Sequence, residues 1–407
     1  MCQNRASRAF SEYVAALFWV IAGLGPAIHP FAKGMEPRVK PAGDEGKWRG
    51  LIGKCSSKRR NVGRRSGPVL AAAIVAAGGL IPSASFADEG GVSFWLPGLF
   101  GSLAATPATP GWLLNTFYYH TSVNAGADVA RAREISIGRF NPSLNLNLSA
   151  SLSADADFAW INPIYVFANP VLGGQFSAGM GGLVGRESAS LSGTVTASIP
   201  PFTFIRSDSV SDSVTGIGDL YPQAFLKWNQ GVNNFMIYGT GDIPVGAYSS
   251  TRLANLGIGH GAVDAGAGYT YLDPTAGHEF SAVAGFTYNL MNTSTNYQNG
   301  IDFHLDWGAS QFLSKQLLVG AVGYVYDQVT GDSGSGDRVG AFESRVIGVG
   351  PQLGYIFPVG GMQGYLNLKG YREFDSRDRP SGFNVWLTFV ISPAAPTAAA
   401  PKPMYRK

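Results

Sequence analysis

Cysteine is nearly missing from this chain: Cys2 and Cys55 are the only two in 407 residues. That excludes a disulfide scaffold. Charge is scarce as well, 14% of residues against roughly 25% in an average soluble domain. Lysine and arginine number 30 and aspartate and glutamate 27, with no basic stripe, so no nucleic-acid partner is indicated. Downstream of Ala87 there is no apolar run of the roughly 20 residues that a spanning helix needs. What is abundant is glycine (54 residues), aromatic side chains (12%) and hydrophobic residues overall (45%), which excludes disorder and argues against a helical protein.

The small net charge of +3 hides an asymmetry. Residues 1–87 carry 13 Lys/Arg against 4 Asp/Glu, and residues 88–407 carry 17 against 23. At the boundary, Lys58-Arg59-Arg60 and Arg64-Arg65 form a cationic stretch, followed by the apolar run Val69 to Ile81. Ser85-Phe86-Ala87 then places small residues at −3 and −1 before Asp88. This pattern predicts a secretory signal peptide over 58–87, cleaved after Ala87; the run is too short for a membrane anchor. Residues 1–57 stand upstream of where such a signal should begin and read as an extension from a start site placed too early. Both cysteines fall in this removed part, which suits export to an oxidising compartment.

After Ala87 the dominant signal is a period of two. Leu144, Leu146, Leu148, Ala150, Leu152, Ala154, Ala156, Phe158 and Trp160 alternate with a set in which all but Ala159 are polar. Only a strand sorts such residues onto two faces. The same alternation runs through 279–290, 301–309 and 382–391, and more weakly through 111–123, 131–139, 172–184, 189–199, 218–229, 233–241, 257–272, 316–328, 343–357 and 362–374. Turn residues such as Asn299-Gly300 and Gly331 to Asp337 separate them. These strands are longer than the usual five or six residues, their polar face is Ser, Asn, Gly and Thr, and aromatics (Trp112, Trp160, Tyr165, Trp228, Trp307, Trp386 among them) sit near strand ends. The expectation is an all-β, transmembrane antiparallel β-barrel of about 12–14 strands over 111–391, in the bacterial outer membrane. A secreted soluble β protein is the alternative. Residues 392–407, rich in proline and alanine, read as a disordered tail. Barrels commonly end on an aromatic that the barrel-assembly machinery reads; here the last strand ends near Phe389-Val390-Ile391.

Candidate chemistry is sparse. Asp302, His304 and Asp306 share one strand face, and Asp155 and Asp157 another; all five are candidates to line a water-filled lumen. A metal site built from 302, 304 and 306 is disfavoured, since side chains two apart on a strand are about 6–7 Å apart. Gly331-Asp332-Ser333-Gly334 resembles a serine-protease nucleophile sequence, but Ser335 stands where glycine is needed, and no catalytic residue, metal or cofactor is assigned. Residues 88–110 form an apolar, aromatic segment before the first strand. Phe94, Trp95, Leu96 and Phe100 are its candidate plug residues, with a periplasmic lead-in as the alternative.

Several blocks carry a family resemblance: Gly90 to Ala104, Thr215 to Asn229 (TGIGDLYPQAFLKWN), Thr240 to Tyr248, Leu256 to Tyr271, Gly277 to Asn289 and Asp302 to Gln316 (DFHLDWGASQFLSKQ). Together they resemble the outer-membrane transporter proteins associated with the meta-pathway of phenol degradation. The resemblance implies a non-enzymatic β-barrel channel that admits small hydrophobic or aromatic solutes from an environment of outer-membrane lipid. A barrel-borne hydrolase and a non-conducting structural barrel are the alternatives.

Overall fold

The structure, a computed structural model, describes residues 93–125, 147–199, 202–337 and 343–395. The chain divides into two units, Met1–Ala77 and Gly78–Lys407. The first lies wholly outside the described residues; every element described below belongs to the second.

Alternating sequence becomes a continuous antiparallel meander of twelve strands: β1 (Gly111–Ala125), β2 (Asn147–Val166), β3 (Gln175–Ile199), β4 (Phe202–Gln230), β5 (Asn233–Asp242), β6 (Ala262–Asp273), β7 (His278–Asn289), β8 (Asp302–Phe312), β9 (Leu317–Gln328), β10 (Arg345–Val359), β11 (Met362–Arg377) and β12 (Ser381–Pro393). Each strand pairs with its sequence neighbour, and β1 pairs with β12 from Leu114↔Ile391 to Asn124↔Ser381, closing the sheet into a barrel. Over their common height closure leaves every strand paired on both sides, the condition for a sheet to sit in lipid; the upper part of β4 rises beyond β5 and is paired there with β3.

The chain enters β1 and leaves β12 at the same end. That end is closed by short connections, including the two-residue turns 231–232 and 360–361, while longer connections such as 243–261 and 329–344 cluster at the other. Gly360 and Gly361 both have positive φ (54° and 84°), the left-handed backbone that a two-residue turn between twisted strands requires. Among the described residues no helix is long and apolar enough to cross a membrane.

In β7 and β8 the expected faces are present. Phe280, Phe286 and Tyr288 are exposed on the outside, while Ser281, Thr287, Asp302, His304 and Asp306 are buried inside. Other elements differ from expectation. The segments 172–184 and 189–199 belong to one strand, β3, because Arg186 and Glu187 continue the ladder opposite Asp157 and Ala156 instead of turning. The expected strand 218–229 is the lower part of β4, which starts at Phe202. Its upper part alternates Ser207, Ser209, Ser211 and Ser213 with Asp208, Val210, Asp212 and Val214, so neither face reads as continuously apolar. The expected strand 131–139 lies outside the described residues.

The expected interfacial aromatics also separate into two groups. Trp112 and Tyr165 are exposed near the turn end, 5.2 Å apart edge to face, as an interfacial girdle would have them. Trp160 and Trp386 are buried inside the barrel.

Candidate functional site

Residues 93–110, before β1, do not run along the outside. They fold upward into the lumen, and side chains from strands around the barrel hold their backbone. The Asp306 carboxylate accepts from the amides of Gly98 (2.8 Å) and Phe100 (3.0 Å). Lys369 donates to the carbonyls of Gly98 (2.7 Å), Leu99 and Phe100 (both 3.3 Å). Lower down, Glu279 accepts from the amide of Leu103, Thr270 from Ala105, and Lys227 donates to the carbonyls of Ala104 and Thr106. Gln175 pairs with both the amide and the carbonyl of Ala108 near the turn end. These bonds satisfy backbone groups that would otherwise be buried unpaired, and those to ionised side chains are the stronger class.

Two glycines permit the close fit. Gly98 has φ of 89°, and a Cβ there would stand 3.0 Å from the Tyr371 ring. A Cβ on Gly308 of β8 would stand 2.8 Å from the Ser102 amide nitrogen, so a side chain at 308 would push the segment off the wall.

At its inner end the segment presents aromatics. Trp95, 2% exposed, stacks on His304 with ring centres 3.6 Å apart and an interplanar angle of 12°. It also lies 5.7 Å from Phe100 and 6.0 Å from Tyr238. Phe94 lies 5.8 Å from Tyr221 of β4, where a continuous strip of rings begins along the inner wall. It runs from Tyr221 to Trp160 (4.9 Å), Phe117 (5.5 Å), Trp386 (4.9 Å) and Tyr119 (4.5 Å).

The five expected lumen residues therefore fall into two sets. Asp302, His304 and Asp306 share the buried inner face of β8 but not a ligand: Asp302 accepts from Asn289 (2.8 Å), His304 bonds Asp264 (2.8 Å), and Asp306 holds the segment. Among the described residues no group of three or more His, Cys, Asp or Glu is arranged to hold a metal ion.

Asp155 and Asp157 stand on the outer face instead, a correction to the expectation. Asp157 accepts from the exposed Tyr118 hydroxyl (2.5 Å) and pairs with His120 (2.9 Å). Asp155 is eleven residues up β2 from Val166, or about 28 Å along the barrel axis at roughly 3.3 Å per residue and a tilt of about 40°. That height is the edge of an apolar band about 25 Å tall. Below it the outer face of β2 is Ala159, Ile161, Pro163 and Tyr165, with Asp157 two residues below Asp155; above it are Ser151 and Ser153. The apolar set 150–160 faces inward, because this side of the lumen is lined by hydrophobic residues.

Between the inner end of the segment and the longer-loop end of the barrel lies a cavity of about 100 Å³. Its apolar wall includes Leu96, Tyr119, Leu152, Ala156, Phe158 and Leu253. Leu253 belongs to the loop 243–261, which is drawn over the inner face of β4. Asp212 accepts from the amides of Leu253 and Ala254, and Asp219 from those of Gly246 and Ile258. The polar residues of its lining include Ser93, Thr121, Asp155, Glu187, Glu373, Arg379 and Asn384. Sequence reasoning misses both the ring strip and this cavity. Their signal is the unbroken apolar parity of 150–160, which alternation alone assigns to lipid.

The family model described as "Putative MetA-pathway of phenol degradation" matches residues 149–389, beginning near the start of β2 and ending within β12. The lumen segment lies outside the matched range. An outer membrane channel from Pseudomonas putida F1 is similar in structure, with a TM-score of 0.51 at 13% identity over 70% of this chain and 97% of that one. A FadL homologue from Pseudomonas aeruginosa (TM-score 0.33, 10% identity, 70% of this chain and 89% of that one) and the translocator domain of autotransporter NalP from Neisseria meningitidis (0.32, 10%, 72% and 91%) are more distant. At these identities the likeness establishes the barrel fold alone. No curated protein matches the chain. With the family model covering more than half of its length, the chain belongs to the MetA-pathway phenol-degradation family.

Proposed function

We propose that this protein is an outer-membrane channel through which small hydrophobic or aromatic compounds diffuse, and that residues 88–110 act as its plug. The observation that carries the reading is the ring strip from Phe94 to Tyr119, which leads along the inner wall to a cavity above the plug. A water-filled pore for polar solutes has no use for buried aromatics on its wall, whereas sites for small apolar ligands are lined by apolar and aromatic side chains with a few polar groups. The cavity is of the order of the apolar cavity of about 150 Å³ that binds benzene.

The end bearing the short turns and both strand termini faces the periplasm, and the long loops face outward. The exposed outer aromatics sit in outer-membrane lipid, and the barrel-assembly machinery inserts the chain. Catalysis is not part of this reading: His120, His260 and His304 bond aspartate, asparagine, tyrosine and backbone groups, not a serine nucleophile.

The test is single-channel recording on refolded 88–407 and on a form lacking 88–108. Expected are a small conductance, altered by phenol, in the complete barrel and a larger, steady one in the shortened form. Identical conductance in both would end the plug assignment. A folded barrel that neither conducts nor binds an aromatic solute would end the channel reading.

A further inference from the structure

We infer that the carboxylates of Asp219 and Asp242, on the inner wall at the foot of loop 243–261, form a binding site for a calcium ion. The inference is independent of which solute the barrel passes.

Both residues stand at the longer-loop end. β5 ends at Asp242, and the bridge Leu220↔Ile243 continues the β4–β5 ladder past it. That register puts Tyr221 opposite Asp242 and Asp219 two residues beyond Tyr221, a diagonal spacing over which longer side chains reach each other. The two carboxylates do meet, within hydrogen-bonding reach of one another. Asp219 is 1% and Asp242 8% exposed.

Their surroundings differ. Asp219 accepts from the amides of Gly246 (2.7 Å) and Ile258 (2.8 Å). A Cβ at Gly257 would stand 2.8 Å from its Oδ1, so the loop is folded closely around it. Asp242 takes no part in this bonding. Among the described residues neither of its oxygens receives an N–H or O–H, and both are buried. No lysine or arginine among the described residues pairs with either carboxylate. His260, 4% exposed, is turned to the Gly261 carbonyl (3.0 Å) and to Asn299 (3.3 Å).

Two ionised carboxylates in contact inside the wall repel each other and have lost their water, so positive charge belongs between them. A shared proton serves one Asp242 oxygen and leaves the other buried without a donor. A cation held by both oxygens serves both. Oxygen ligands select a hard cation, and calcium tolerates donors fixed on two strands better than magnesium with its strict octahedron. Two carboxylates do not complete the shell, so backbone carbonyls and water supply the rest. The low count of charged ligands sets the affinity at about 10⁻⁴–10⁻³ M.

Refolded 88–407 in phosphatidylcholine nanodiscs is titrated with terbium(III) and then with calcium. Tyr221, and Trp160 at 4.9 Å from it, sensitise the emission of a lanthanide held at this site. Expected is sensitised emission that calcium displaces, with an apparent calcium Kd of about 10⁻⁴–10⁻³ M. D242N removes a carboxylate that receives no donor, so the barrel's own bonding is kept, and the displaceable emission falls at least about fivefold. D155N/D157N, on the outer face, leaves it unaltered. An unmodified barrel without calcium-displaceable emission overturns the inference with no variant having to fold, and leaves the pair to share a proton. Emission that persists in a folded D242N barrel, or that is lost in D155N/D157N, places the ion elsewhere and overturns it too.

Discussion

Asp306 should control how firmly the lumen segment is held. Its two oxygens accept from the Gly98 and Phe100 amides at 2.8 and 3.0 Å. In D306N one of these acceptors becomes an amide donor facing an N–H, so at least one charge-assisted bond is lost, about 1.5–3 kcal/mol. At about 1.4 kcal/mol per factor of ten, the undocked population rises by about 10- to 150-fold. The readout is chemical. Residues 88–407 contain no cysteine, so A105C supplies a single thiol at a fully buried position of the segment. Its rate of modification by a charged, membrane-impermeant thiol reagent tracks the undocked fraction when opening is fast compared with labelling. Labelling should accelerate by the same factor in D306N, in a barrel that still shows heat-modifiable migration. A rate within about twofold of the parent would refute the reasoning, because it would mean that these bonds do not set the docking equilibrium.

Replacing Gly308 by leucine puts a side chain where a Cβ already meets the Ser102 amide at 2.8 Å, so G308L should displace the segment and raise conductance without loss of the barrel, read in planar bilayers. Removing the Trp160 ring from the inner strip, as W160A, should lower barrel stability by about 3–5 kcal/mol, measured by urea unfolding in lipid vesicles, and weaken retention of benzyl alcohol. The double change D155N/D157N should leave ion selectivity unaltered, since both carboxylates are on the outer face and exposed charges are screened over about 8–10 Å; a shift beyond about twofold in the permeability ratio would return them to the lumen.

The strand period, the barrel class and most strand positions were legible in the sequence because alternation is a local property: residues two apart share a face wherever the strand lies. The parity of β7 and β8 was legible for the same reason, since there the lumen is polar and the outside apolar. The apolar and aromatic character of 90–104 was legible too. What alternation cannot supply is which face is inside. Along 150–160 the two sets are as clearly separated as anywhere in the chain, yet the hydrophobic one points inward and Asp155 and Asp157 point out. That assignment depends on how high β2 rises past the lipid and on what fills the lumen beside it. Both are set by pairing with β3 and β4 and by the segment entering from the turn end. Local sequence thus determined the strands. Only closure of the barrel, which brings Phe94 to Tyr221 and Gly98 to Asp306 across more than a hundred residues, decided the cavity, because burial there comes from partners distant in sequence.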